Sequence, residues 1–319
     1  MISFFANIFG YVLNIIYELV KNYGLAIILF SILLKLLLLP MTIKQQKTLK
    51  KSQKVQVKLK EIQDKYSNNP EKLNQEMMDL YKRENLSPFS GCLSSIIQII
   101  LLFAMFYLVR SPLTYMKKIS VDEINKYKEQ IVLEQGENSV SATYPEISII
   151  KYINNKEQNQ KEEIEEQKNN IENLEENNIQ NVVEEENKVE DNIEINEDLY
   201  INMNFLGMDL SSVPKENYKD IKVFIIPLLY IISSFISIKM TQVQQPKNDN
   251  NKKEENQEPD MTAQMNKSML WMMPILAVSV SLVAPLGLAL YWLVNNILMI
   301  IERVVIDKFI VPKEEEKND

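Results

Sequence analysis

The stretch that decides the fold is Gly24–Pro40, GLAIILFSILLKLLLLP, which is apolar apart from one cation, Lys35. A helix over residues 24–43 rises about 1.5 Å per residue and so reaches about 30 Å, the thickness of a bilayer's hydrocarbon core. An ammonium group at that depth costs at least ~2.5–3.5 kcal/mol on insertion scales, so helices keep one mainly where it faces water, a partner or a transport path. Residues 24–43 therefore predict a first membrane span organised around Lys35.

A second interpretation of Lys35 stays open. The residue lies five positions before Pro40, a distance of about 7–8 Å along a helix axis. A lysine near the end of a span often extends its side chain to the interface and does nothing else. The span by itself does not decide between snorkelling and a functional cation.

Residues 1–23, ahead of this span, predict an amphipathic helix that lies in the membrane interface, because apolar side chains recur three and four positions apart on one face. The alternatives are a first span or a signal peptide. A signal peptide is disfavoured because there is no basic segment, no small-residue cleavage site and no early cysteine for a lipid anchor. The apolar face consists of Ile2, Phe5, Phe9, Val12, Ile16 and Leu19.

Residues 44–86 follow the span and predict a basic helical hairpin. Asn69 is a suitable N-cap and Pro70 a suitable first residue for its second helix. The lysines of the first arm place the hairpin in the cytoplasm and the N-terminus outside, and they also suit contact with anionic lipids. Apolar stripes expected to pair along the two arms are Val55, Leu59, Ile62 and Tyr66 on the first, and Leu73, Met77 and Leu80 on the second.

The remaining apolar runs predict four more spans. Residues 92–110 form the second span and 221–239 the third, with a kink expected at Pro227. The run 268–306 is too long for one span, and the segment Ala284-Pro285-Leu286-Gly287 divides it into a fourth span, 268–284, and a fifth, 285–306.

The segments between the spans are polar. Residues 111–220 are expected outside as a loop with a surface helix around 119–135, and residues 240–267 are expected to be a cytoplasmic linker. Low-complexity residues 154–198 hold too little apolar surface to offset chain entropy, so they predict disorder or a loose solvated helix with no chemistry. Residues 307–319 predict an acidic cytoplasmic tail.

The composition excludes several classes of site. The mean hydropathy of −0.17 hides the segregation of apolar and charged residues into blocks, and the net charge of −8 comes mostly from the acidic insert. There is no histidine, and Cys92 is the one cysteine, so a histidine-based triad, a Cys/His metal site and an internal disulfide are absent. We therefore expect neither an enzyme nor a bound metal or cofactor.

Three segments, in this order and spacing, resemble the YidC family of membrane protein insertases in its Gram-positive five-span form. They are LLLPMTIKQQKTLKK after the cation, EKLNQEMMDLYKRENLSPFSGC running into IIQ, and MMPILAVSVSLVAPLGLALYWLVNN. The resemblance covers about residues 1–118 and 222–306. It implies an all-α integral membrane protein with five transmembrane helices around a hydrophilic groove, an N-terminal interfacial helix and a cytoplasmic helical hairpin.

The resemblance also implies a function. The groove would hold Lys35 and pass short hydrophilic substrate tails, while the substrate helix slides into lipid along spans 2 and 5. The implied partners are nascent membrane proteins, the ribosome, the Sec translocon and anionic lipids, with no direct nucleic-acid contact, in a bacterial plasma membrane with the C-terminus in the cytoplasm. The residues assigned to groove and slide are Lys35, Ser94, Ser95, Gln98, Phe106, Tyr107, Ser234, Tyr291, Trp292 and Asn296.

The chain departs from the family pattern at several points. Lys35 stands where the family commonly has arginine, and Ser94 and Ile100 stand where it has prolines around the second span. Lysine, unlike arginine, can lose its proton when desolvated. The outer loop is unusually long, and the acidic tail gives no support for docking to the ribosome through a basic tail.

Two other functions fit the same spans. One is a small transporter or channel subunit that binds an anion at Lys35, and the other is a scaffold that holds membrane proteins without inserting them. A transporter is disfavoured because the sequence has no inverted repeats and we count only one intramembrane charge, Lys35.

Overall fold

The structure, a computed structural model, describes residues 2–84, 90–175, 199–243, 272 and 275–310. The side chains of 49, 52–54, 56, 57, 60, 90–98, 241–243 and 310 and of most residues in 160–175 are left out. Predictions for 85–89, for the insert beyond residue 175, for 244–271 and for the tail from 311 lie outside the described residues. The helices are α1 Ile2–Val20, α2 Tyr23–Tyr66, α3 Pro70–Arg83, α4 Ser90–Arg110, α5 Pro112–Tyr115, α6 Val121–Gln135, α7 Pro145–Glu175, α8 Ile225–Val243 and α9 Leu286–Val305.

Shorter elements complete the described part. A helical segment covers 275–283, and a π-helical turn, Ile306–Ile310, extends α9. Single turns of 3₁₀-helix cover Glu137–Ser139 and Ile221–Phe224. The strands β1, Asn204–Phe205, and β2, Met208–Asp209, form an antiparallel hairpin.

Four described helices are long and apolar enough to cross a membrane: Ile2–Val20, Tyr23–Thr48, Ile221–Met240 and Leu286–Phe309. A shorter apolar helix covers Ile99–Arg110. By length and composition α1 therefore qualifies as a span, and its position in the interface stays a prediction. Residues 268–271, 273 and 274 of the predicted fourth span lie outside the described residues.

The chain divides into two compact units, each of which mixes amino-terminal with later residues. The first unit contains Met1–Ala26 and Ala104–Ser212, and the second contains Ile27–Phe103 and Val213–Asp319.

The first unit is a folded body, whereas the sequence analysis treats residues 111–220 as a loop with one surface helix. The segment before β1 is tied to the start of α2, because Tyr23 N donates to Asn202 O at 3.0 Å and Asn202 N donates to Tyr17 Oη at 2.9 Å. The loop prediction fails here because the acidic average conceals a regular set of apolar residues. Those buried in this unit include Leu13, Leu113, Ile131, Ile149, Ile150, Ile153, Leu199 and Ile201.

The first part of the acidic insert, residues 154–175, continues helix α7. Asn154 Nδ2 donates to Ile201 O at 2.9 Å, and Lys156 Nζ lies 3.6 Å from Glu134 Oε1. The beginning of the insert is thus attached to the first unit rather than loosely solvated.

In the second unit, α2 runs without interruption through Pro40 to the end of the predicted hairpin arm. Its 44 residues span about 66 Å, which is more than twice the hydrocarbon core, so the basic half must project beyond the bilayer. The predicted span ends at residue 43 and the predicted helical hairpin begins at residue 44. One continuous helix covers both, because the lysines that follow the span are good helix formers.

The core of the described hairpin contains five of the seven residues in the predicted stripes, all except Tyr66 and Leu73. Asn69 Oδ1 accepts from Lys72 N at 3.1 Å, and Pro70 begins α3. The buried core between the arms contains Val55, Leu59 and Leu80, against which Ile62, Met77 and Tyr81 pack.

Helices α8 and α9 pack against each other in the same unit. Pro227 lies in the first turn of α8, directly after the 3₁₀ turn. A proline there removes no helical hydrogen bond, so the kink predicted inside the third span is replaced by a helix start. Pro285, at φ −57° and ψ 144°, precedes α9 and produces the break that the sequence predicts there.

Candidate functional site

Lys35 has a protein partner. Its Nζ lies 3.2 Å from Oε2 of Glu302, in the last turns of α9, and the two side chains are 23% and 8% exposed. The pair joins the apolar part of α2 to the end of α9, where Arg303 directly follows Glu302. The sequence analysis counts a single intramembrane charge, whereas Glu302 and its neighbour Arg303 both lie in the candidate membrane-spanning helix Leu286–Phe309. It misses Glu302 because charges near the end of a predicted span are ordinarily assigned to the interface.

The carboxylate of Glu302 is only half satisfied. Among the residues that the structure describes, its second oxygen, Oε1, is buried and has no hydrogen-bond partner. A buried ion pair is favourable only when its remaining lone pairs are also bonded, so this oxygen is ready to accept a donor. The site therefore offers a partly exposed cation beside a buried acceptor.

A second ion pair connects the same two chain segments. Lys50 Nζ lies 2.8 Å from Asp307 Oδ1, in the π-helical turn, and the side chains are 30% and 26% exposed. Both of its members are more accessible than Glu302. This pair lies farther along both helices, beyond the apolar part of α2.

Ser234 and Asn296, two of the predicted groove residues, contact each other between α8 and α9. Asn296 Nδ2 donates to Ser233 Oγ at 2.9 Å and to Ser234 Oγ at 3.2 Å. Asn296 is 8% exposed and Ser234 5%. Because these donors and acceptors satisfy one another, the patch holds two apolar helices together as polar groups do between spans.

Tyr291 and Trp292 have different environments on α9. Tyr291 is 4% exposed, so in this structure it does not line an open face. The Trp292 ring lies 6.2 Å from that of Tyr230 on α8, tilted by 42°. Trp292 is half-buried and remains the more accessible aromatic of the two.

Phe106 and Tyr107 belong to the first unit. Their ring centroids are 6.4 Å apart in an edge-to-face arrangement, and Tyr107 has a second such contact, also at 6.4 Å, with Tyr115. Tyr107 is 40% exposed. The side chains of Ser94, Ser95 and Gln98 lie outside the part of the chain that is described.

The comparison with known families decides the identity. The family model of the 60Kd inner membrane protein matches residues 15–169 and 186–314. The chain belongs to this family, which includes YidC. The membership and the apolar helices together identify a multi-pass protein of a bacterial membrane.

Curated relatives of this YidC-family chain carry the name Membrane protein insertase YidC. The relative from Treponema denticola is 26% identical over 302 residues, which are 95% of this chain and 37% of the relative. That from Clostridium perfringens is 43% identical over 117 residues, 36% of this chain and 49% of the relative. That from Prosthecochloris aestuarii is 42% identical over 102 residues, 32% of this chain and 18% of the relative. The matches thus span at most about half the length of these relatives.

Two of the predicted site residues of this YidC-family chain contact each other in the structure, and Lys35 contacts a residue that was not predicted. Lys35 meets Glu302, which the sequence analysis did not consider, and Ser234 meets Asn296 in a buried contact. The signal that points to Glu302 is present in the sequence: it is an acidic residue that follows the apolar run of α9 and directly precedes Arg303. Intramembrane ionisable residues ordinarily have a partner of opposite sign.

Proposed function

We propose that this chain is a membrane protein insertase and chaperone. It would pass short hydrophilic tails of its substrates through a groove that holds Lys35, while the substrate's apolar helix slides into lipid along spans 2 and 5. The observation that carries the proposal is the Lys35–Glu302 pair, in which a lysine whose side chain is 23% exposed contacts a carboxylate that is 8% exposed on another helix. Membership of the YidC family supports the same conclusion.

The task of such a groove follows from the bilayer. A hydrophilic tail must cross a low-dielectric layer in which each unpaired polar group costs several kcal/mol. Water and fixed charges reaching partway through the layer shorten the dry part of that path. Binding and release suffice for this, so the proposal requires neither covalent chemistry nor a cofactor.

The proposed architecture has five spans around a groove that is closed toward the outside and open to cytoplasm and lipid, with the N-terminus outside. Ser94, Ser95 and Gln98 would help to wet the groove, and Ser234 and Asn296 would hold α8 and α9 together at its edge. Phe106, Tyr107 and Trp292 would offer an apolar, aromatic face that accepts many sequences, with Tyr291 behind it.

The hairpin of α2 and α3 is the proposed receiving element. Its lysines would contact anionic lipid headgroups in the cytoplasm. Nascent membrane proteins would reach it from the ribosome or from the Sec translocon. In the hairpin, Lys65 and Lys72 lie over the ring of Tyr66, 5.3 Å and 5.2 Å from its centroid, so two cations are held at the loop end.

The test is insertion into liposomes that contain only the purified chain. A single-span substrate with a short polar tail is added, and protection of the tail from external protease is measured. Insertion above that of empty liposomes supports an insertase. Binding of the substrate without protection would contradict it and favour a scaffold, and leakage of a trapped anion without protection would favour a channel subunit.

A further inference from the structure

We infer that Glu302 determines the charge specificity of the site: as the counter-ion of Lys35, it competes with acidic substrate segments and lets neutral and basic tails pass as well. This inference rests on the proposed function. It deepens that function by naming the class of tails that the groove accepts. An unpaired cation, in contrast, would select acidic tails.

The competition follows from the geometry. Glu302 Oε2 already occupies a position 3.2 Å from the ammonium, where a substrate carboxylate would also bind. A second carboxylate must then displace the first or lie beside it, and like charges a few ångströms apart oppose each other strongly in a partly buried site. Lys35 is therefore less attractive to an acidic tail than its charge alone suggests.

The burial of the two partners argues that the pair is more than a clamp between α2 and α9. Lys35 keeps 23% of its side chain exposed, whereas Glu302 keeps 8%, so Lys35 is the more accessible member of the pair. Within the described residues, Glu302 Oε1 is buried and accepts no hydrogen bond. The negative charge of Glu302 therefore stays next to Lys35, where it favours a neutral or basic group and opposes a carboxylate.

The second ion pair gives a matched control. Lys50 and Asp307 also join α2 to the end of α9, and both members of this pair are exposed to a similar, larger extent. Asp307→Asn removes the same charge from the same chain segment as Glu302→Gln does. It leaves Lys35 and its partner unchanged.

The experiment uses the full chain in liposomes and three single-span substrates whose tails differ only in a pair of residues: two Asp, two Asn or two Lys. For Glu302→Gln we expect the ratio of Asp-tail to Asn-tail insertion to rise ~3–10-fold, as expected for release of one charge-assisted interaction, with Lys-tail insertion falling. For Asp307→Asn we expect the ratio of Asp-tail to Asn-tail insertion and the insertion of the Lys tail to stay at the wild-type values.

A purely structural pair gives a different pattern. Glu302→Gln would then lower insertion of all three tails by the same factor, and this result would overturn the inference. The double exchange Lys35→Glu/Glu302→Lys guards against a variant that folds poorly, since it retains an ion pair. Because the more exposed member is then an anion, we expect insertion of the Lys tail to rise relative to the Asp tail, and a Lys-tail to Asp-tail ratio equal to that of wild type would overturn the inference.

The same experiment distinguishes a failure of the proposed insertase function from a failure of the role of Glu302. A wild-type chain that inserts none of the three tails above empty liposomes would overturn the insertase proposal itself. A wild-type chain that inserts them, with the same tail ratios as Glu302→Gln, would overturn the role of Glu302 alone.

Discussion

At the scale of the residue, the proposed function depends on Lys35 and Glu302. A lysine that only snorkels would extend to lipid headgroups, but Lys35 instead meets a carboxylate on another helix. The pair neutralises much of its own field, so it can be tolerated between apolar helices. It still leaves 23% of the Lys35 side chain exposed.

The first prediction concerns the cation itself. Lys35→Ala alone would leave Glu302 buried without its partner, which costs ~3–5 kcal/mol, so the informative variant is Lys35→Ala/Glu302→Gln. Compared with Glu302→Gln, we expect it to lower insertion of an Asp tail ~10-fold, equivalent to about 1.4 kcal/mol, by the loss of one charge-assisted interaction. Lys35→Arg should retain insertion. Equal insertion by all these variants in the liposome assay would contradict a role for the cation.

The second prediction concerns Glu146, at the start of α7 in the first unit. Burial raises the pKa of its carboxyl above the ordinary 4.5, although hydrogen bonds received from Thr114 N and Oγ1 at 3.0 and 2.7 Å oppose the rise. The folded unit therefore binds a proton more tightly than the unfolded chain. Its stability should fall as the pH rises from 4.5 through the raised pKa and then level off.

Glu146→Gln should remove that fall, because glutamine does not titrate. The measurement is the thermal unfolding midpoint of the full chain in detergent between pH 4 and 8, compared between the two proteins. An identical pH slope in both would rule out Glu146 as its source.

At the scale of the element, the contact between α1 and α5 depends on a missing side chain. A Cβ at Gly10 would overlap the carbonyl oxygen of Tyr115, a backbone atom that cannot turn away. We expect Gly10→Ala to destabilise the first unit by ~1–3 kcal/mol, the usual cost of overpacking. Chemical denaturation in detergent measures it. Ser3→Ala, at an exposed position of α1, should change nothing, and equal stability of all three proteins would show that α1 and α5 are not packed closely.

The helical hairpin shows how much local sequence can predict. Asn69 and Pro70 specify the start of α3, and matching apolar stripes specify which faces pair, since both signals act within a few residues. The start of α8 two residues before Pro227 and the passage of α2 through Pro40 are harder to predict. In each case the outcome depends on neighbouring turns rather than on the proline alone.

At the scale of the whole molecule, the sequence predicts the helical class and the apolar segments, because about 20 consecutive apolar residues admit few other structures. It misses the fold of the first unit, whose Ile149, Ile153 and Leu199 are diluted by acidic neighbours. It also misses the Lys35–Glu302 pair. The partners are 267 positions apart, and no periodic pattern connects residues at that separation.

The acidic insert gives a prediction at this scale. Deleting 163–198 removes the part of the insert for which no contact with the first unit is described, and shortening a long connection costs little conformational free energy. We expect insertion in liposomes to stay within ~2-fold of wild type. Deleting 154–198 also removes Asn154 and Lys156, which bind Ile201 and Glu134, and should lower the unfolding midpoint. Loss of insertion in the shorter deletion, with the protein still in the membrane, would show that the insert acts in the reaction.

The measurement that tests the central claim most directly is photocrosslinking from position 35. A lysine analogue that keeps its ammonium and carries a diazirine replaces Lys35, and the same probe is placed at Leu37, which is 73% exposed on the same helix. During insertion of a single-span substrate, the account predicts adducts between position 35 and the substrate's polar tail, with lipid adducts at position 37. Lipid adducts alone at both positions would contradict it.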